Sequence, residues 1–173
     1  MPGSLPCMDT DSDSDRRVKD SCTPPDEAAR GKTRTFLGPD LARARIQLVR
    51  HTTYGLGGVT LELRGNGRAQ IVKQPWGTAE KPQRLELRLE PAASQEVLAA
   101  FVDQAFTEIF LGQAVGVPDE LFFELLLENA GGEIHRLGKF VRTEHARFDA
   151  LVSLVHRTVA GALDPATRKR LTL

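Results

Sequence analysis

Leucine and valine alternate with polar or charged residues in two stretches of this chain, and this pattern restricts the fold more than any other feature. Residues 59–64 read VTLELR and residues 84–90 read RLELRLE. Successive side chains on a β-strand point to opposite faces, so each stretch predicts a strand with one apolar and one charged face. Strands of this kind belong in a sheet that is covered on one side only.

Turn residues divide the alternating stretches into hairpins. Gly65-Asn66-Gly67 supplies residues that tolerate positive φ, so the strand before it is predicted to return as a strand over 68–74. Asn129-Ala130-Gly131-Gly132 does the same between the apolar run 120–128 and a return strand over 133–141. A first strand begins near Arg45. Consecutive hairpins favour an antiparallel sheet.

The apolar spacing changes to that of a helix in two places. After Pro91, apolar residues recur at Val97, Leu98, Phe101 and Ile109, and a second helical stripe covers 144–160, where Thr143 is the expected N-cap. We therefore predict an α+β fold, with an antiparallel sheet of about six strands in the order ββββαββα and two helices packed on one face.

The domain boundaries follow from composition. Residues 1–38 contain few apolar side chains, which predicts a disordered N-terminal arm. Residues 42–164 are expected to form a single α+β domain, and residues 165–173 a short basic C-terminal tail.

Composition also argues against several classes of protein. Lys+Arg and Asp+Glu both number 23, so the chain lacks the positive net charge that holds basic proteins to nucleic acid. Both cysteines, Cys7 and Cys22, fall in the arm, which removes a disulfide framework and a thiolate zinc site from the expected domain. No apolar run approaches the roughly 20 residues of a membrane span, and no signal peptide is recognised. We expect a cytoplasmic protein without membrane contact.

No residue has the context of a catalytic group. The sequence has no Gly-x-Ser-x-Gly elbow, and the expected domain has no cysteine, so we predict no catalytic residue, no metal and no cofactor. One alternative is a small enzyme or metal-binding protein. It requires His51, His135 or His145 to meet Asp119 or Glu120 in space.

The charged side of the alternating strands is the surface with most functional interest. It would be flat, and free of helices if both helices lie behind the sheet. A solvated face whose charges pair across strands is the simple interpretation. The more specific interpretation is a protein-binding face, to which aromatic residues in neighbouring loops could anchor a partner. We interpret the chain as a non-catalytic interaction domain for a protein partner of unknown identity. The candidate partner-binding residues are Tyr54, Glu62, Arg64, Trp76, Arg84, Glu86 and Arg88.

From Arg45 onward the layout resembles small bacterial α+β proteins and the emfourin family of protealysin inhibitors. The resemblance covers the glycine-rich segment 54–58, the strand-to-helix passage 85–106, Pro118-Asp119 before a strand, and a closing hairpin and helix. It implies an alternative function, inhibition of a thermolysin-type metalloprotease by direct binding and without catalytic residues. No inhibitory residue of that family is matched to a position here, and the N-terminal arm is not part of the family pattern.

Overall fold

The computed structural model describes residues 23–52, 57–75, 81–112 and 120–171. The elements in chain order are α1 (Glu27–Leu37), β1 (Arg45–Thr52), β2 (Gly58–Arg64), β3 (Arg68–Gln74), β4 (Gln83–Arg88), α2 (Pro91–Asp103), β5 (Leu121–Glu128), β6 (Ile134–Phe140), α3 (Ala146–Gly161) and α4 (Pro165–Leu171). A turn of 3₁₀-helix, Phe106–Glu108, follows α2. None of the helices within these ranges is long and apolar enough to cross a lipid bilayer.

The six strands form one antiparallel sheet in the spatial order β4-β3-β2-β1-β5-β6. Hairpins link β1 to β4 in sequence, and α2 then leads back so that β5 pairs with β1 in the middle of the sheet. The α+β fold and the antiparallel sheet are therefore confirmed.

One face of the sheet carries the core. In register across the strands lie Ile46, Leu63 and Leu127, with Leu48, Leu61 and Leu125 in the next row. These side chains are buried together with apolar residues from all four α-helices, so the helices cover this face. The opposite face, hereafter the open face, carries Glu62, Glu86 and their neighbours.

Two predicted boundaries are wrong. Residues 27–37 of the expected arm form α1, whose Leu37 is only 2% exposed and belongs to the core. Residues 165–171 of the expected tail form α4, whose Leu171 is likewise 2% exposed. Within the described ranges, the sheet is thus covered by four α-helices, where two were predicted. Residues 1–22, with both cysteines, lie outside the described residues.

The ends of the two predicted helices also differ from those expected from the sequence. The helix that begins at Pro91 stops at Asp103, because Ala105 adopts a left-handed conformation at φ 46° and the 3₁₀ turn follows. The last long helix begins at Ala146, and its N-cap is His145 rather than Thr143: the Nδ1 atom of His145 accepts a hydrogen bond from the Phe148 amide at 3.3 Å.

Candidate functional site

The open face is organised in rows that run across the strands. At one end, Arg45 stands opposite Arg64 on β2, and Arg68 stands opposite Arg88 on β4. Arg64 and Arg68 flank the β2–β3 turn, so four arginines from four adjacent strands fall in one row. The next row contains Gln47, Glu62, Gln70 and Glu86. Period-two alternation places all of these side chains on the side of the sheet away from the helices.

Carboxylates neutralise the part of the arginine row that lies in the middle of the sheet. Arg45 forms ion pairs with Glu62, at 3.3 Å, and with Glu128. Arg64 donates from Nε to the other oxygen of Glu62 at 3.1 Å. Arg45, Glu62 and Glu128 are partly buried and Arg64 is exposed. Together they form a structural network of the kind expected of cross-strand charge pairs.

The charges on β3 and β4 are different. Arg68, Arg84, Glu86 and Arg88 are exposed, and their side chains make no hydrogen bond or ion pair with any other described residue. A shallow depression of about 730 Å³ lies among Glu62, Arg64, Arg68, Glu86 and Arg88. Exposed guanidinium groups without an intramolecular partner can offer bidentate hydrogen bonds to an incoming carboxylate. We call the surface around Arg68 and Arg88 the basic half. Its guanidinium groups can donate hydrogen bonds to an acidic group of a partner.

The far end of the open face is aromatic. The ring of Phe122 lies 5.3 Å from that of His51 and 5.1 Å from that of Phe140, centre to centre. Gly138 leaves room for Phe122, because a Cβ at position 138 would overlap the end of that ring. Leu126, between the aromatic and charged ends, is only 7% exposed although it points to the open face. These residues, the aromatic half, give the face an apolar area beside its charges.

Sequence reasoning missed the aromatic half. The signal was present in the run LFFELLLE, in which the even-numbered Phe122, Glu124 and Leu126 share one face of β5. An apolar run of this kind favours a strand with both faces partly covered. The low exposure of Leu126 agrees with that interpretation, but the pairing of Phe122 with Phe140 depends on the β5–β6 register.

The four histidines lie in separate environments. His51 is on the open face against Phe122, whereas His135 is on the helix side of β6, between Phe36 and Phe106. His145 caps α3, and His156 lies farther along the same helix. Burial lowers the pKa of His135, against the opposing charge of Glu108. Burial also lowers the pKa of His145, as does the nearby Arg147.

A metal site was one alternative for these histidines. Among the residues that the structure describes, no three His, Cys, Asp or Glu side chains are grouped so that they could hold a metal ion. Asp119, one of the carboxylates considered, lies outside the described residues. Glu120 is engaged by Arg142 at 3.2 Å.

The structure brings five of the seven candidate partner-binding residues together. Glu62, Arg64, Arg84, Glu86 and Arg88 all lie on the open face, on β2 and β4, as the alternation predicted. Tyr54 and Trp76 lie outside the described residues. Arg68, which joins Arg64 to Arg88, was not among the candidates, because its position follows only from the register of the hairpin.

No protein-family model matches this chain, and a search of curated proteins gave no significant match to its sequence. Its function must therefore be argued from the geometry of the molecule.

Proposed function

We propose that this chain is a non-catalytic protein-interaction domain, and that its open face binds an acidic segment of a partner protein. The observation that carries the proposal is the basic half: Arg68 and Arg88 are in register, exposed and without an ion-pair partner among the described residues. Interfaces favour arginine and aromatic side chains, and the open face carries both.

The chemistry of the partner follows from the charges. Glu62 is already shared by Arg45 and Arg64, so it offers little repulsion to an incoming carboxylate. Arg68 and Arg88 then present guanidinium groups along one edge of the depression, opposite Glu86, which is exposed. An Asp- or Glu-rich segment with an apolar side chain would fit: its carboxylates would meet the basic half, and its apolar group the ring of Phe122.

Charge reversal tests the proposal. The double variant Arg68→Glu, Arg88→Glu should weaken binding of the partner by at least about tenfold, because the incoming carboxylates would meet repulsion where they now find donors. The matched control is Lys169→Glu, Arg170→Glu, which makes the same change in net charge at exposed positions of α4. Partners would be captured with the tagged wild-type chain, purified, and measured one to one by calorimetry.

Salt dependence supplies a second readout. Binding by the basic half should weaken as the NaCl concentration rises from about 50 mM to about 500 mM, because salt screens charges at the surface. Equal loss of binding in the control variant, or affinity that neither salt nor charge reversal changes, would contradict the proposal.

The two alternative functions stay predictions. Inhibition of a thermolysin-type protease predicts loss of peptidase activity when the purified chain is added in excess, and unchanged activity would remove that function. A catalytic or metal function predicts a pocket in which several titratable groups converge, and the described histidines lie in separate environments.

A further inference from the structure

A second concave site lies on the helix side of the sheet, away from the open face. It is a cleft of about 400 Å³ between α3 and the end of the sheet where β1, β2 and β5 meet. This volume falls within the range of about 300–1,000 Å³ that small-molecule sites occupy. Nothing in the proposed function uses it.

The floor of the cleft is apolar. Leu48 and Leu61, side by side on β1 and β2, form its base. Phe123 of β5 and Val152 of α3 form its walls and are only partly buried, although they pack against the core. Apolar side chains that stay partly accessible inside a concave site favour an apolar occupant, because the occupant removes their surface from water.

The rim of the cleft is positively charged. Arg50 stands at the sheet side, and His156 and Arg157 at the helix side, while none of the described residues that line the cleft is an Asp or a Glu. Burial lowers the pKa of His156, and the positive charges of Arg50 and Arg168 lower it further.

The neighbouring charges are already engaged. Lys73 is in register with Val59, and its Nζ donates to the Arg170 carbonyl oxygen at 2.9 Å. Lys139 is in register with Phe123 and pairs with Asp149 at 2.8 Å. Asp149 therefore does not cancel the charge at the rim.

We propose that this cleft binds a carboxylic acid with an unbranched apolar tail, of the medium-chain fatty acid class. The tail lies on Leu48, Leu61 and Phe123, and the carboxylate lies at the rim beside Arg157. A guanidinium group binds a carboxylate through two parallel hydrogen bonds, which fixes the orientation of the ligand as well as its charge. A neutral ligand of the same length gains only the apolar part.

Calorimetry with decanoate tests the assignment, and decanol provides the uncharged control. The wild-type chain should bind decanoate saturably with Kd below about 1 mM, and should bind decanol at least about tenfold more weakly. Arg157→Glu should weaken decanoate binding by at least about tenfold, because Arg157 is exposed and its reversal places a carboxylate at the rim. The matched control is Arg84→Glu, the same change at an exposed residue of β4 that has no ion pair among the described residues, and it should leave decanoate binding unaltered.

A substitution that changes the shape of the cleft without changing its charge tests the apolar part of the site. Val152→Phe fills the cleft from the helix side and should abolish decanoate binding, while circular dichroism should show a chain that is still folded. The proposal is overturned if no saturable binding of decanoate is seen up to about 1 mM, or if decanol binds equally well. It is also overturned if Arg84→Glu and Arg157→Glu have the same effect on decanoate binding. The open-face variants do not alter the cleft, so the two proposals are tested independently. Absence of decanoate binding would not contradict the proposed partner interaction, and absence of a partner would not contradict decanoate binding.

Discussion

Two glycines in the β2–β3 hairpin show how one residue can fix the geometry of the sheet. Gly67 has φ 86°, the conformation for which the Gly-Asn-Gly turn was recognised in the sequence. Gly65 is needed for a different reason: a Cβ there would overlap the carbonyl oxygen of Leu41, which lies before β1. The amide of Gly65 donates to the Ala44 carbonyl oxygen at 3.0 Å. Only the first requirement could be predicted, because the second depends on a contact between distant segments.

Gly65→Ala should lower the free energy of unfolding by about 1–3 kcal/mol, because backbone must move to admit one methyl group. The control is Gly161→Ala, at the end of α3, where a Cβ would meet nothing within 4 Å. That substitution should be neutral or slightly stabilising, since alanine favours a helix. Urea denaturation measures both, and equal stability of the two variants would contradict the close approach at Gly65.

The histidines make stability depend on pH. His135, His145 and His156 all have pKa values below the ordinary 6.5, in each case chiefly because of burial. Below about pH 6.5 these histidines bind protons more readily in the unfolded chain than in the folded chain. Protonation therefore stabilises the unfolded state relative to the folded state. Stability is therefore fully present above the unfolded pKa and is lost as the pH falls below it.

The free energy of unfolding should decrease between pH 7.5 and pH 5.5, as measured by urea titrations. The decrease should be smaller in His145→Asn, since asparagine can still accept the N-cap hydrogen bond but does not titrate in this range. Stability that is constant or rises toward pH 5.5 would show that these histidines are not protected from protons.

At the scale of elements, α1 is a helix that was not predicted from the sequence. Its apolar residues are few, and the low apolar content of 1–38 predicted disorder. The ends of the helix were nevertheless marked: Asp26 accepts a hydrogen bond from the Ala29 amide at 2.8 Å, and Gly38 follows the last turn with φ 68°. Burial of Thr33 and Leu37 against the rest of the domain stabilises α1, and composition alone does not reveal such a contact.

A substitution in α1 tests whether the helix belongs to the folded domain. Leu37→Ala should cost about 2–5 kcal/mol of unfolding free energy, as expected for a leucine removed from a core. Lys32→Ala should cost no more than about 1 kcal/mol, because Lys32 is exposed and its 2.6 Å pair with Glu108 lies at the surface. If both variants were as stable as the wild type, residues 27–37 would be the disordered arm that composition predicted.

The strands were the easiest elements to predict, and the reason is their environment. β2 keeps strict alternation, Val59, Leu61 and Leu63 inward, because one of its faces is sealed and the other is open. The position of β5 beside β1 could not be predicted, because α2 intervenes and local sequence does not specify where a crossover returns. The row of arginines, which depends on four strands in register, was therefore visible only in part.

At the scale of the whole molecule, the sheet separates two surfaces with different chemistry. On the helix side, an apolar cleft lies between α3 and the sheet, and Arg50 and Arg157 stand at its rim. The open face combines an aromatic half around Phe122 with a basic half around Arg68 and Arg88. Sequence patterns assigned the charged residues to their face, while the division of that face into halves came from the register.

The claim on which the account depends is that partners meet the open face and not the helix layer. Photocrosslinking in living cells tests it: a photoreactive amino acid replaces Gln70, which lies between Glu62 and Glu86 on the open face, or Gln95, which is exposed on α2. We expect a discrete crosslinked protein from position 70, lost when Arg68 and Arg88 are reversed to glutamate, and none from position 95. A crosslinked partner from position 95 alone would contradict the account.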